Sequence, residues 1–159
     1  MLPIQQPISG DGENYENKEI LNKSILMALH NFYKAFNNKD LSLMQKNWLN
    51  SENIAMSNPL GGIKRGWNSI EDVYKKIFFG QVKVYVEFYD YTIQLFENGF
   101  CVIGRERGVV EFKGKKLDLA IRTSRIYTLE NGIYKQIHHH GSIENPELLK
   151  DYQELVFLK

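Results

Sequence analysis

The residues best suited to chemistry lie near the end of the chain, in the segment IYKQIHHHGS from Ile133 to Ser142. Imidazole titrates near neutrality, so a histidine can give or take a proton without special tuning. Alternation along a strand puts Tyr134, Gln136, His138, His140 and Ser142 on one face. Lys135, Ile137 and His139 then share the other. The pattern alone does not say which face turns inward. His138 and His140 are the candidate catalytic acid/base residues. Histidines at i and i+2 could also grip a divalent ion, but spacing supplies no third ligand, so no metal is expected.

Arginine is sparse, and Arg105, Arg107, Arg122 and Arg125 all fall on expected strands. An inward arginine needs a buried carboxylate, such as Glu106 or Asp118, or an anionic ligand. Arg105 and Arg107 read as solvated charge on an outer face. Arg122 has small neighbours on its own face, Ala120 and Ser124, so it is carried as a ligand-binding candidate. Cys101 is the single cysteine and reads as a small buried apolar residue, with no histidine or basic helix start beside it in sequence. No G-x-G-x-x-G, G-x-x-x-x-G-K-[ST] or G-x-S-x-G occurs, so neither a phosphate cradle nor the common serine-hydrolase elbow is implied. No cofactor is called for.

Three helices must position these groups. Ile25, Leu29, Phe32, Tyr33 and Phe36 recur at helical steps in a long first helix, which starts near Asn17 and is ended by Asn37 and Asn38. Asp40 caps a short second helix carrying Leu41, Leu43, Met44 and Trp48. Asn68 or Ser69 caps a third, with Ile70, Val73, Tyr74, Ile77 and Phe78 as its stripe. From Gln81 the pattern turns β-branched and aromatic, broken by ENG, KGKK and ENG. Those are long strands joined by short hairpins in an antiparallel meander. One sheet face must be covered, and the helices are the cover. The fold class is therefore α+β, a bent sheet closed by helices into a cone with a cavity. Residues 1–16 read as a flexible leader, 17–145 as the domain, and 146–159 as a tail or short helix packing on it.

The chain has 159 residues, the size of one domain with a real core. Lys+Arg is 20 against Asp+Glu 19, a net charge of +1, which argues against a partner held by phosphates. No apolar run is long enough to span a membrane, and Met1 to Glu16 lacks a signal-peptide pattern, so a cytoplasmic location is expected.

Three segments carry a resemblance. FYKAFNNKDLSLMQKNW, NPLGGIKRGWNSIEDVYKKIF and ENGIYKQIHHHGS together resemble the NTF2-like superfamily, and within it the SnoaL-like, ketosteroid-isomerase-like branch. The resemblance covers about residues 18–143. It implies a curved antiparallel sheet around the first helix, a pocket at the open end, and a homodimer formed through the sheet's outer face. It also implies that Tyr134, Gln136, His138, His140 and Ser142 point into the pocket. The isomerases use an aspartate base, a tyrosine and a second, protonated aspartate. At the base position this chain has Asn58, in AMSNPLG, and an amide cannot take the proton. Phe32 stands at the tyrosine position, with Tyr33 next to it, and Thr123 or Ser124 stands at the second acid. Steroid isomerisation by that mechanism is rejected. Asn58 is kept as a ligand-binding residue, and Trp48 and Trp67, which resemble recurrent family aromatics, as further candidates beside their simpler role in core packing.

Two functions follow. One is a pocket for a small apolar or aromatic molecule, with cofactor-free acid/base catalysis of isomerase, dehydratase or cyclase type by His138 or His140. The other is a non-catalytic dimerisation or protein-interaction module. An open cavity of ~300 Å³ or more would favour the first, and a plugged cone the second.

Overall fold

The computed structural model describes residues 5–12 and 20–157. The order is helix α1 (Ile20–Asn37), helix α2 (Leu41–Asn47), strands β1 (Ala55–Ser57) and β2 (Lys64–Arg65), and helix α3 (Gly66–Phe79). Long strands β3 (Lys83–Phe96), β4 (Gly99–Phe112), β5 (Lys115–Glu130) and β6 (Ile133–Ser142) follow, then helix α4 (Pro146–Phe157). The six strands form one sheet in the order β2-β1-β6-β5-β4-β3. Pairing is antiparallel except between β1 and β6, which run parallel. This is the expected α+β cone, a curved open sheet with helices in its concavity. A fourth helix is added at the C-terminal end.

The core forms where the helical stripe meets the inner sheet face. Ile25, Leu29, Phe32 and Tyr33 of α1 are buried, as are Val102, Val110, Leu119, Ile121 and Tyr127 of β4 and β5. The second helix starts as the sequence predicts: the Asp40 side chain accepts from the Leu43 N–H at 2.9 Å. The third does not. It begins at Gly66, ahead of both expected caps, and no side chain caps it. The two-residue strand β2 delivers the chain directly into the helix, and Gly66 makes the turn at φ 73° while its N–H donates to Ile54 C=O at 2.9 Å.

The expected leader is also partly folded. Ile8 is buried and exchanges backbone hydrogen bonds of 2.8 and 2.9 Å with Phe88 of β3. An apolar side chain over the sheet edge is what ties it down. Residues 1–4 and 13–16 of that leader lie outside the described residues. Among the described residues, no helix is long and apolar enough to cross a membrane.

One irregularity decides the site. Across β5 and β6, Tyr127 faces Gln136 but Ile126 faces His138, so Ile137 is an extra residue in β6. Such a bulge reverses the alternation beyond it. Gln136 is fully buried before the bulge, and His139 is buried after it, while His140 is exposed.

Candidate functional site

The inner face of β5 carries Leu119, Ile121, Thr123, Arg125 and Tyr127, all buried. Arg125 is therefore a charge placed in an apolar row, and it survives there because it is partnered. Its Nη2 donates to Glu106 Oε1 at 2.9 Å and its Nη1 to Gln136 Oε1 at 2.8 Å. Tyr33 donates its hydroxyl to the same Glu106 oxygen at 2.6 Å. The guanidinium carbon lies 3.6 Å from the centre of the Phe32 ring, a cation–π contact. Gln136 passes the network on, donating to Asn47 Oδ1, which also accepts from Tyr127. Burial opposes the Arg125 charge, but the Tyr33 and Glu106 oxygens outweigh it and hold the pKa above the ordinary arginine value. Burial also raises the Tyr33 phenol, which keeps it a donor to Glu106.

Above this network is a cavity of about 50 Å³. Phe32, Phe36, Val73, Ile77, Val84 and Ile121 make its apolar wall, and Glu106, Arg125, His139 and Asn58 its polar groups. That free space suits a few water-sized molecules. It is smaller than the open hollow that the cone was expected to hold. Part of the reason is α4, whose Tyr152 lies against the site and forms part of its wall.

His139 is 6% exposed, and neither ring nitrogen has a hydrogen-bond partner among the described residues. The Nε of Arg125 is likewise unpaired. Burial holds the His139 pKa well below the usual imidazole range, and the Arg125 charge adds to that. The ring is therefore neutral at pH 7, with one donor and one acceptor nitrogen.

The sequence-based assignment of the pocket face is corrected here. His138 and His140 do not line the cavity. His138 Nδ1 lies 3.1 Å from Ala55 C=O in the neighbouring strand, and His140 is exposed. The bulge at Ile137 turns both outward and turns His139 in. Gln136 is inward, as expected, but spends its amide on Arg125 and Asn47. Tyr134 packs edge-on against Phe100, away from the cavity. Ser142 is half-buried and does not line it. Arg122 is on the outer face, 3.1 Å from Glu144. Its small neighbours leave room in solvent, not in a pocket. Trp48 and Trp67 are core residues, and Trp48 Nε1 donates to the Tyr74 hydroxyl at 3.3 Å. Asn58 does line the cavity, with its Oδ1 accepting from the Leu60 N–H at 3.0 Å.

Sequence reasoning names Arg125 among the strand arginines and Glu106 as a carboxylate that could pair with an inward one, but makes neither a site residue and does not reach Tyr152. For Arg125 a signal existed: it continues the alternation Leu119, Ile121, Thr123 and Tyr127. Among the described residues, no group of three or more His, Cys, Asp or Glu is placed to hold a metal ion.

Comparison with known proteins places this architecture. No curated protein matches the sequence. A proposed dehydratase of the NTF2-like family from Streptomyces avermitilis superposes with a TM-score of 0.67 at 15% identity, over 76% of this chain and 94% of that one. A proposed calcium/calmodulin-dependent protein kinase II association domain from Xanthomonas campestris gives 0.67 at 17% identity, over 86% and 94%. A protein of cystatin-like fold from Caulobacter vibrioides gives 0.64 at 15% identity, over 82% and 94%. At such identities the likeness is one of fold. The sequence itself goes further, because the model of the SnoaL-like domain matches residues 25–146, from within α1 to the first residue of α4. With that match over most of its length, the chain belongs to the SnoaL-like domain family, and its curved sheet has the fold of the NTF2-like proteins it superposes on.

Proposed function

We propose that the protein binds a small, electrically neutral, largely apolar molecule in the cavity above Arg125 and hydrogen-bonds its polar group with His139. One observation carries this reading: a buried imidazole with two unpaired nitrogens faces an apolar cavity. Leaving such groups unpaired costs stability, and a ligand oxygen or hydroxyl would pair them.

The preference for a neutral molecule follows from the charges already there. Arg125 is matched by Glu106, and His139 is neutral. An anion would be buried beside the Glu106 carboxylate with no spare cation to meet it. A cation would be buried beside Arg125. Either would pay desolvation without a partner.

The same charges define what His139 does. Taking a proton would create an imidazolium next to Arg125, which that charge opposes. His139 therefore acts as a neutral donor or acceptor, polarising a carbonyl or holding a hydroxyl, and not as a general base.

The test compares 2-naphthol with 2-naphthoate, an uncharged and an anionic molecule of similar shape, by thermal shift and calorimetry. The expected result is stabilisation by 2-naphthol alone, lost in His139→Phe. Equal binding of 2-naphthoate, or full binding by His139→Phe, overturns the reading.

A second reading, a non-catalytic dimerisation module, has two observations in its favour: the free space of about 50 Å³ falls below the ~300 Å³ that favours a ligand pocket, and the outer sheet face is partly apolar. Ile103 is 41% exposed at the middle of the outer sheet face, where half-buried Cys101 and Ile126 flank it. A second copy of the chain would cover that surface. Light scattering after size exclusion tests it, with Ile103→Lys expected to convert a dimer to a monomer.

A further inference from the structure

The C-terminal helix is attached unlike the rest of the molecule. The SnoaL-like match stops at residue 146, so α4 lies almost wholly beyond it. Yet α4 supplies Tyr152 to the cavity wall. Of its twelve residues only Tyr152 and Leu155 are buried. Among the described residues, its one hydrogen bond to the far side of the cavity runs from Gln153 Nε2 to Leu60 C=O at 3.0 Å. Leu60 lines the cavity too, and it is followed by Gly61 and Gly62, both at positive φ.

The near end of α4 starts at a side-chain cap and follows a charged link to the sheet. Asn145 caps it, its Oδ1 accepting from the N–H groups of Glu147 at 2.9 Å and Leu148 at 3.2 Å. Glu144 is held on the outer sheet face by Arg122 at 3.1 Å and Arg105 at 3.7 Å. A helix tethered at its start through Glu144, and held further along by buried Tyr152 and Leu155, half-buried Val156 and one amide, has the mechanics of a hinged cover.

We propose that α4 is the gate of the cavity and that Tyr152 is the residue that sets what fits inside. In the closed arrangement the free space is about 50 Å³, too little for an aromatic molecule. Swinging α4 about residues 143–145 withdraws the Tyr152 ring and breaks the Gln153–Leu60 bond. The space it leaves opens into the cavity that His139 and Arg125 line, so the incoming molecule takes the place of a phenol. This inference rests on the cavity being a ligand site, as argued above. It adds a size limit and an entry route that the SnoaL-like segment alone does not contain.

The experiment measures 2-naphthol affinity by calorimetry for the full-length protein, Tyr152→Ala, Tyr152→Phe and Gln153→Ala. Hydrogen exchange of the wild-type chain accompanies it. Tyr152→Ala should bind at least tenfold more tightly, because no ring has to be displaced. Tyr152→Phe should match the wild type, because the ring and not the hydroxyl fills the space. Gln153→Ala should speed association. Amides of α4 should exchange ahead of those of β4 and β5, and 2-naphthol should change the exchange of α4 and residues 58–62.

Equal 2-naphthol affinity in wild type and Tyr152→Ala overturns the gate and leaves the site standing. Binding to neither overturns the site, and the gate falls with it. If Tyr152→Ala does not fold, wild-type exchange decides: α4 amides that open only with the whole sheet overturn the gate.

Discussion

Arg125 and His139 are paired residues on neighbouring strands, and both side chains enter the same cavity. One is a permanent cation matched by Glu106, and the other is an imidazole that this cation and burial keep neutral. The pair explains how a charge can sit in an apolar hollow, and it is the basis of the proposed preference for uncharged contents.

Stability should fall in mild acid because of His139. Its pKa is ordinary when unfolded, near 6.5, and lower when folded. The unfolded chain thus binds the extra proton first. The contribution is complete above pH ~6.5 and is lost as pH falls towards the folded value, by at most about 1.4 kcal/mol per pH unit. Burial first, and then the Arg125 charge with His138 and His140 nearby, keeps the ring from protonating. Urea unfolding at pH 7.5 and 5 should show the loss, and His139→Gln should reduce the slope. An unchanged slope in that variant would place the titration elsewhere.

Breaking the buried ion pair should be costly. Arg125 and Glu106 side chains are 1% and 6% exposed. Arg125→Met leaves a buried carboxylate that accepts from the Tyr33 hydroxyl, and the expected cost is about 3–5 kcal/mol. Pairing it with Glu106→Leu removes the orphaned charge and should recover a large part of that loss. A double-mutant cycle in urea measures the coupling, and strictly additive effects would show the pair to be unimportant.

The Asp40 cap offers a test of ordinary size. Asp40→Ala removes the acceptor for the Leu43 N–H and should cost about 1 kcal/mol. Asp40→Asn should cost much less. Chemical unfolding of both variants checks the ranking.

Gly141 sets how closely the cavity mouth can approach the sheet. A Cβ there would stand 3.0 Å from Cδ and Cγ of Pro59, the residue after Asn58. Gly141→Ala should push that loop outward, with faster amide exchange at residues 60–62 and a destabilisation of about 1–3 kcal/mol. Unchanged exchange there would mean the loop absorbs the methyl elsewhere.

Much of the architecture was legible before any coordinate. The stripe of α1, the Asp40 cap and the four long strands follow from periodicity and turn residues, which are local. The start of α3 was not legible, because strand β2 and the turn at Gly66 depend on pairing with β1. The inward histidine was not legible either. Nothing in KQIHHH marks Ile137 as the residue that β5 leaves unpaired, since a bulge is settled by what both strands must bury. Arg125 was within reach, and what obscured it was the general rarity of buried arginine rather than its local pattern. Tyr152 belongs to a segment that the sequence leaves as a tail or short helix, and its docking is a long-range event.

The unpaired residue at position 137 changes the parity of the closing strand. Read flat, the last strand displays two imidazoles to the cavity; read with the kink, it displays one, and a different one. The chemical character of the hollow is therefore encoded in a count of residues and not only in their identities. A one-residue insertion or deletion on either side of Ile137 would exchange the displayed ring while every wall-forming side chain kept its identity.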